Sequence, residues 1–229
     1  MSKRTCILVA GGWVDDAFAL NFIKEEKPDL LFAVDRGLEF FVRNGLRADY
    51  VIGDFDSVTE DLTESQAARN ACLIRLNPIK DDTDTGHALV TALELGCDEI
   101  FLLGATGTRL DHVLGNLQLL GLALRHHAAC MMVDPHNRIR LLAAEMTQPD
   151  GFRIRNEEQF GTYLSLIPLT PRVSHLTITG MKYPLSDYTM ESFYLEGAPF
   201  ISGVSNEITE PEAVIRFEEG ILVLVEARD

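Results

Sequence analysis

The chain has 229 residues, 46% of them hydrophobic, with 35 acidic against 20 basic side chains and a formal net charge of -15. That much apolar material fills a large core, and the length suits one large domain or two small ones. So acidic a surface repels nucleic-acid phosphates and anionic membranes, so neither is an expected partner; handling a polyphosphate would require metal ions and a local basic cluster.

The first predicted strand covers residues 5–10 and runs into Gly11-Gly12. Its apolar run is too short for a secretory core, and no stretch approaches the ~20 apolar residues of a membrane span. Further short aliphatic runs follow at 30–34, 50–52, 72–76, 99–103 and 129–133. Apolar on both faces, they read as buried strands of a parallel sheet. Between them, residues 15–26, 36–44, 59–71, 85–95 and 110–126 carry apolar side chains at helical spacing, as in Leu114, Leu117, Leu120 and Leu124. The alternation predicts an α/β domain with a doubly wound, mostly parallel sheet over residues 1–140. Beyond it the helical period fades. Strand patterns at 163–169, 175–179, 213–217 and 221–226 predict an all-β sandwich over residues 141–229, with a hairpin turn at Phe217-Glu218-Glu219-Gly220-Ile221. Cys6, Cys72, Cys97 and Cys130 lack CxxC spacing and read as buried free thiols of a cytoplasmic protein. Trp13, the only tryptophan, is expected to fill the core, with stacking on a substrate ring as the alternative reading.

The acidic residues carry the functional signal. Asp35 follows the second strand. Asp54 and Asp56 follow the third, in Gly-Asp-Phe-Asp-Ser. Asp81, Asp82 and Asp84 precede a helix in Lys80-Asp81-Asp82-Thr83-Asp84, and Asp111 opens another beside Arg109 and His112. Open parallel sheets bind ligands past the carboxyl ends of their strands, so several of these groups converge on one crevice. Clustered carboxylates repel one another, and a hard cation such as Mg²⁺ relieves that cost while bridging to phosphates. For any one aspartate, an N-cap of the following helix is an equally good reading; four loops presenting aspartate beside Lys80 and Arg109 favour the metal. The glycine-rich turn at 104–107 suits phosphate oxygens. Neither it nor Gly11-Gly12 matches the Walker or dinucleotide patterns, which excludes an ordinary P-loop kinase and a dehydrogenase.

The series Asp35-Arg36-Gly37, Gly53-Asp54-Phe55-Asp56-Ser57, Lys80-Asp81-Asp82-Thr83-Asp84 and residues 104–112 with Asn116 resembles that of the thiamine pyrophosphokinase family. The resemblance continues through Thr179-Gly180-Met181-Lys182-Tyr183-Pro184-Leu185 and Gly203-Val204-Ser205-Asn206-Glu207, and so spans nearly the whole chain. It implies a nucleotide-binding α/β domain followed by a thiamine-binding β-sandwich, in a homodimer with its active site between subunits. The metal site it implies is Asp54, Asp56 and Asp84. The ATP site it implies is Gly104, Thr106, Gly107, Arg109, His112 and Asn116, with Ser205 and Asn206 on the thiamine loop. Lys80, Arg109 and Asp111 are expected to serve the diphosphate transfer, with Asp35 or Asp81 as a late base. Two positions depart from the family pattern: Arg36 and Thr108 stand where it often has glycine. The rival readings are a pyrophosphokinase acting on a hydroxymethylpterin and a non-catalytic nucleotide or thiamine sensor.

Overall fold

The computed structural model describes residues 3–54, 65–77, 82–107, 109–192 and 201–229, and the chain divides into two compact units at Pro135/His136. In the first unit, strands β1 (Thr5–Val9), β2 (Leu30–Val34), β3 (Tyr50–Gly53), β4 (Cys72–Arg75), β5 (Glu99–Leu103) and β6 (Ala129–Val133) pair in parallel in the order β4-β3-β2-β1-β5-β6. Helices α1 (Asp16–Glu26), α2 (Gly37–Arg43), α3 (Asp84–Glu94) and α4 (Leu110–Arg125) alternate with them. The central strands are buried on both faces, which is why their sequences are continuous rather than alternating. At the edge, β4 leaves Cys72 and Leu73 exposed, so Cys72 corrects the expectation of four buried thiols. Cys6, Cys97 and Cys130 are buried and free; burial pushes the Cys130 thiol up to about 12, which leaves it protonated and inert at neutral pH. The expected helix over 59–71 falls partly outside the described residues, and 65–71 form turns.

The second unit is a β-sandwich. One sheet holds β7 (Asn137–Ala143), β13 (Ile221–Ala227) and β9 (Tyr163–Pro168), antiparallel in the order β7-β13-β9. The other holds β11 (Leu185–Glu191), β10 (Arg172–Thr179), β12 (Glu212–Arg216) and β8 (Phe152–Arg155), in that order. Leu142, Leu164, Leu166, Leu222 and Leu224 of the first sheet meet Val173, Ile178, Ala213 and Ile215 of the second in one core. The expected hairpin at 217–221 is a crossover instead: β12 and β13 belong to different sheets. Phe217, fully buried between them, carries the chain across, and Gly220 at φ 104° turns it onto the opposite sheet.

Among the described residues of this sandwich, one charged side chain is buried. On β13, Leu222, Leu224 and Glu226 share a face by the two-residue period, and Glu226 is only 1% exposed. Its carboxylate takes Nη2 of Arg138 at 2.6 Å, Nε of Arg138 at 2.7 Å, Nη2 of Arg140 at 3.4 Å and the Phe160 amide at 3.0 Å. These bonds replace the water the carboxylate loses. No helix among the described residues is long and apolar enough to cross a membrane.

Candidate active site

The carboxyl ends of β1, β2, β3 and β5 set the site's frame. The Asp35 amide donates to the Ile52 carbonyl at 2.8 Å, which ties the end of β2 to β3 and holds Asp35 at a left-handed φ of 49°. Aspartate tolerates that region better than most residues. Gly37 then lets α2 start against β1: a Cβ there would fall 1.9 Å from the Val9 carbonyl oxygen. Asp54 leaves β3 directly, and Asp84 lies in the first turn of α3.

Asp35, Asp54 and Asp84 each present a carboxylate oxygen such that all three oxygens lie within 4.8 Å of one another, and all three residues are partly buried. The capping reading fails at α3, where Thr83 is the N-cap: its hydroxyl accepts the Gly86 amide at 3.0 Å. It does hold at α1, where Asp15 accepts the Phe18 amide at 2.8 Å. Three converging hard oxygens fit a small divalent cation that neutralises their repulsion. Asp35, expected as a base, thus joins the cluster. Asp56, Lys80, Asp81 and Thr108 lie outside the described residues. The signal for Asp35 was present in the sequence, since it ends the strand beside Asp54; its left-handed backbone was not.

The loop after β5 is locked to the loop after β1. The Gly12 amide donates to the Gly104 carbonyl at 3.1 Å, and a Cβ on Gly12 would lie 2.2 Å from that oxygen. Asn116, on α4, donates from Nδ2 to the Ala105 carbonyl at 3.0 Å and so braces the turn that carries Thr106 and Gly107. Arg109 forms a two-point pair with Asp111, Nη2 to Oδ2 at 2.6 Å and Nε to Oδ1 at 3.2 Å, and Asp111 also accepts the His112 amide at 3.0 Å. The guanidinium holds the Asp111 carboxyl below the usual carboxylate range. Both side chains are exposed. Trp13 is not core: it is 57% exposed, correcting the sequence expectation.

A second feature lies wholly within the sandwich. A cavity of about 360 Å³ is lined by apolar side chains including Leu164, Leu166, Ile178 and Met190, and by Tyr183, residues 201–204 and Asn206. Asn206 is 9% exposed, and its side-chain amide is committed to the framework. Oδ1 accepts the Tyr183 amide at 2.9 Å and the Glu207 amide at 3.0 Å, and Nδ2 donates to the Tyr183 carbonyl at 2.9 Å. Ser205, at φ 56°, donates its amide to Ser165 Oγ at 3.1 Å. Asn206 therefore fixes Tyr183, itself 60% exposed, beside the cavity. Nothing in the sequence announced the cavity, because its lining comes from residues scattered over 164–206.

Residues 24–132 match the family model for the thiamin pyrophosphokinase catalytic domain, and residues 151–222 match that for the thiamin pyrophosphokinase vitamin B1 binding domain. A thiamine pyrophosphokinase of Bacillus subtilis is 32% identical over 228 residues, covering 99% of this chain and 100% of the relative. The chain belongs to the thiamin pyrophosphokinase family. Among solved structures of that family, the Bacillus subtilis enzyme superposes with a TM-score of 0.82 at 30% identity, covering 99% of this chain and 100% of its own. The Geobacillus thermodenitrificans protein superposes at 0.78 with 29% identity, covering 99% and 98%. The family is thus reached through both units, since each has its own model match and the structural likeness spans them. The pterin and sensor readings find no support in these comparisons.

Proposed function

We propose that the chain transfers the diphosphate of ATP to the hydroxyl of thiamine, giving thiamine diphosphate and AMP, with Asp35, Asp54 and Asp84 holding Mg²⁺ at the head of the crevice. The observation that carries this reading is the cluster of three carboxylate oxygens at the carboxyl edge of a parallel sheet. Asp56, two residues after Asp54 in the same loop, belongs with them by its sequence position. When bound, the ion supplies charge neutralisation and a fixed geometry for the phosphate oxygens. The protein's share is placement. Backbone amides of the 104–107 turn, braced by Asn116, take phosphate oxygens, and Thr106 and His112 border them. Arg109 and Lys80 offset charge that spreads over the transferred group, with Asp111 holding Arg109 in place. Such transfers depend on alignment more than on covalent help, so a base is needed only late, and Asp81 serves that role once Asp35 is committed to the cation.

The acceptor belongs to the second unit. The vitamin B1 binding match and the apolar cavity beside Tyr183 both support this. Ser205 and Asn206 border the cavity's loop, and Asn206 keeps Tyr183 in position for a cationic heteroaromatic ring. The working form is a homodimer in which the acceptor loop of one copy serves the nucleotide unit of its partner, as the family resemblance implies. Its compartment is the cytoplasm, where four free thiols stay reduced.

Incubation with ATP, Mg²⁺ and thiamine, with products read by mass, tests the reaction. Thiamine diphosphate and AMP are expected in equal amounts. ADP with thiamine monophosphate would overturn the reading, as would better turnover of a hydroxymethylpterin.

A further inference from the structure

We propose that Trp13 is the platform on which the purine ring of the nucleotide stacks. The inference rests on the ATP-dependent reaction proposed above and adds a residue to which the resemblance assigns no role. Trp13 sits in the loop between β1 and α1, and its indole is largely in solvent. That loop is held rigidly. Gly12 is bonded to Gly104 and packed against it too closely for any side chain, and a Cβ on Gly107 would lie 3.4 Å from the Trp13 amide nitrogen. The two loops therefore interlock and carry Trp13 to the gap between β1 and β5. In the order β3-β2-β1-β5-β6, the chain winds outward from that gap in both directions. It is the switch point of the sheet, where nucleotides bind in open α/β folds.

The same loop also reaches the carboxylates. A Cβ on Gly11 would lie 3.4 Å from Asp35 Oδ2. From Gly11 to Trp13 the chain thus runs from the cation and phosphate end of the crevice to an exposed aromatic face. A nucleotide has the same polarity, charge at one end and a flat ring at the other. Of the two aromatic substrates, thiamine goes to the second unit, with its vitamin B1 binding match and apolar cavity. The purine remains as the ring for Trp13, and an indole face suits a neutral base.

Trp13 is the chain's only tryptophan, so its emission reports on this loop alone. AMP, ATP, inorganic tripolyphosphate and thiamine are titrated separately into the full chain with Mg²⁺, reading fluorescence and calorimetry in parallel. AMP and ATP should change the emission with a midpoint equal to the calorimetric Kd, while tripolyphosphate binds without the change. Trp13→Ala should weaken AMP binding ~5- to 100-fold and Trp13→Phe should restore most of it, with tripolyphosphate affinity unaltered. AMP binding with unchanged emission and an unchanged Kd in Trp13→Ala overturns the platform and leaves the reaction standing. Emission that answers to thiamine alone, or only to protein concentration, overturns it by assigning the indole to the acceptor or to a second copy. Failure of every nucleotide to bind removes the platform and the ATP reading together.

Discussion

Charge is handled differently in the two units. In the parallel sheet every charged group of interest lies past the ends of the strands, at Asp35, Asp54, Asp84, Arg109 and Asp111, and the central strands themselves are aliphatic. In the sandwich a carboxylate lies within the sheet-facing layer, where Glu226 binds two arginines and a backbone amide. The first cluster is like-charged and partly buried, so it stores repulsion that a cation can relieve. The second is of mixed charge and hydrogen-bonded from several sides, so it needs no further ligand. An acidic cluster points to chemistry when several carboxylate oxygens converge on one point, and to framework when a single carboxylate is bound by arginines and amides of the fold.

Substitution should separate the two behaviours. The largest effect is expected at the carboxylate edge. Asp54→Asn, and likewise Asp35→Asn or Asp84→Asn, should lower kcat at least ~100-fold at saturating Mg²⁺ while circular dichroism and the unfolding midpoint stay close to those of the parent. Turnover near normal in all three would erase the contrast.

Glu226→Ala should do the reverse. It leaves Arg138 and Arg140 without their shared counter-charge, and loss of one member of a buried ionic cluster costs about 3 kcal/mol or more. Urea unfolding should show that loss, with the KM values for ATP and thiamine little changed. A stable Glu226→Ala variant with impaired turnover would place this cluster in the chemistry.

Asn206→Ala falls between the two. Three hydrogen bonds from a buried amide are removed, which costs roughly 1–3 kcal/mol locally and releases Tyr183. The KM for thiamine should rise ~5- to 150-fold with the KM for ATP close to normal. Equal rises in both, or a loss of melting temperature with neither KM changed, would reduce Asn206 to a turn former.

The smallest effect concerns His175. Its Nδ1 lies 2.6 Å from Asp187 Oδ1, and Nε2 is 3.9 Å from Glu218 Oε2. Asp187 first, and Glu218 with it, raise the imidazole pKa above its ordinary value. A raised folded pKa contributes stability that is fully present below about pH 6.5 and is lost as pH rises through the folded pKa. Since the pair is exposed, the contribution is small. An NMR titration should place His175 above 6.5, and Asp187→Asn should bring it down; an unmoved titration in Asp187→Asn would show the pairing to be absent in solution.

The fold was legible to different depths in the two units. Six parallel strands and four of the helices could be read because burial on both faces leaves an uninterrupted aliphatic run, and covering helices keep a 3.6-residue stripe. In the sandwich β11 was not legible, its apolar alternation diluted by Ser186, Asp187 and Thr189, and neither were β7 and β8. Their arginines interrupt the apolar alternation: Arg138 and Arg140 point to Glu226, which lies more than eighty residues away in the chain. The hairpin at Gly220 was misread for a related reason. A turn signal marks where the chain reverses, and the choice between returning to the same sheet and crossing to the other rests on Phe217 finding a place between sheets.

By itself the sequence determined the family, the aliphatic framework of the first unit and the chemical kind of its site. Those properties are local: they reside in residue type, in spacing and in the loop that follows each strand. Tertiary structure alone decided that Asp35 stands with Asp54 and Asp84, that Asn206 holds Tyr183 and that Trp13 faces solvent. Each of these depends on atoms brought within a few ångströms by segments distant in the chain, and a linear pattern carries no record of which of its polar groups will find one another.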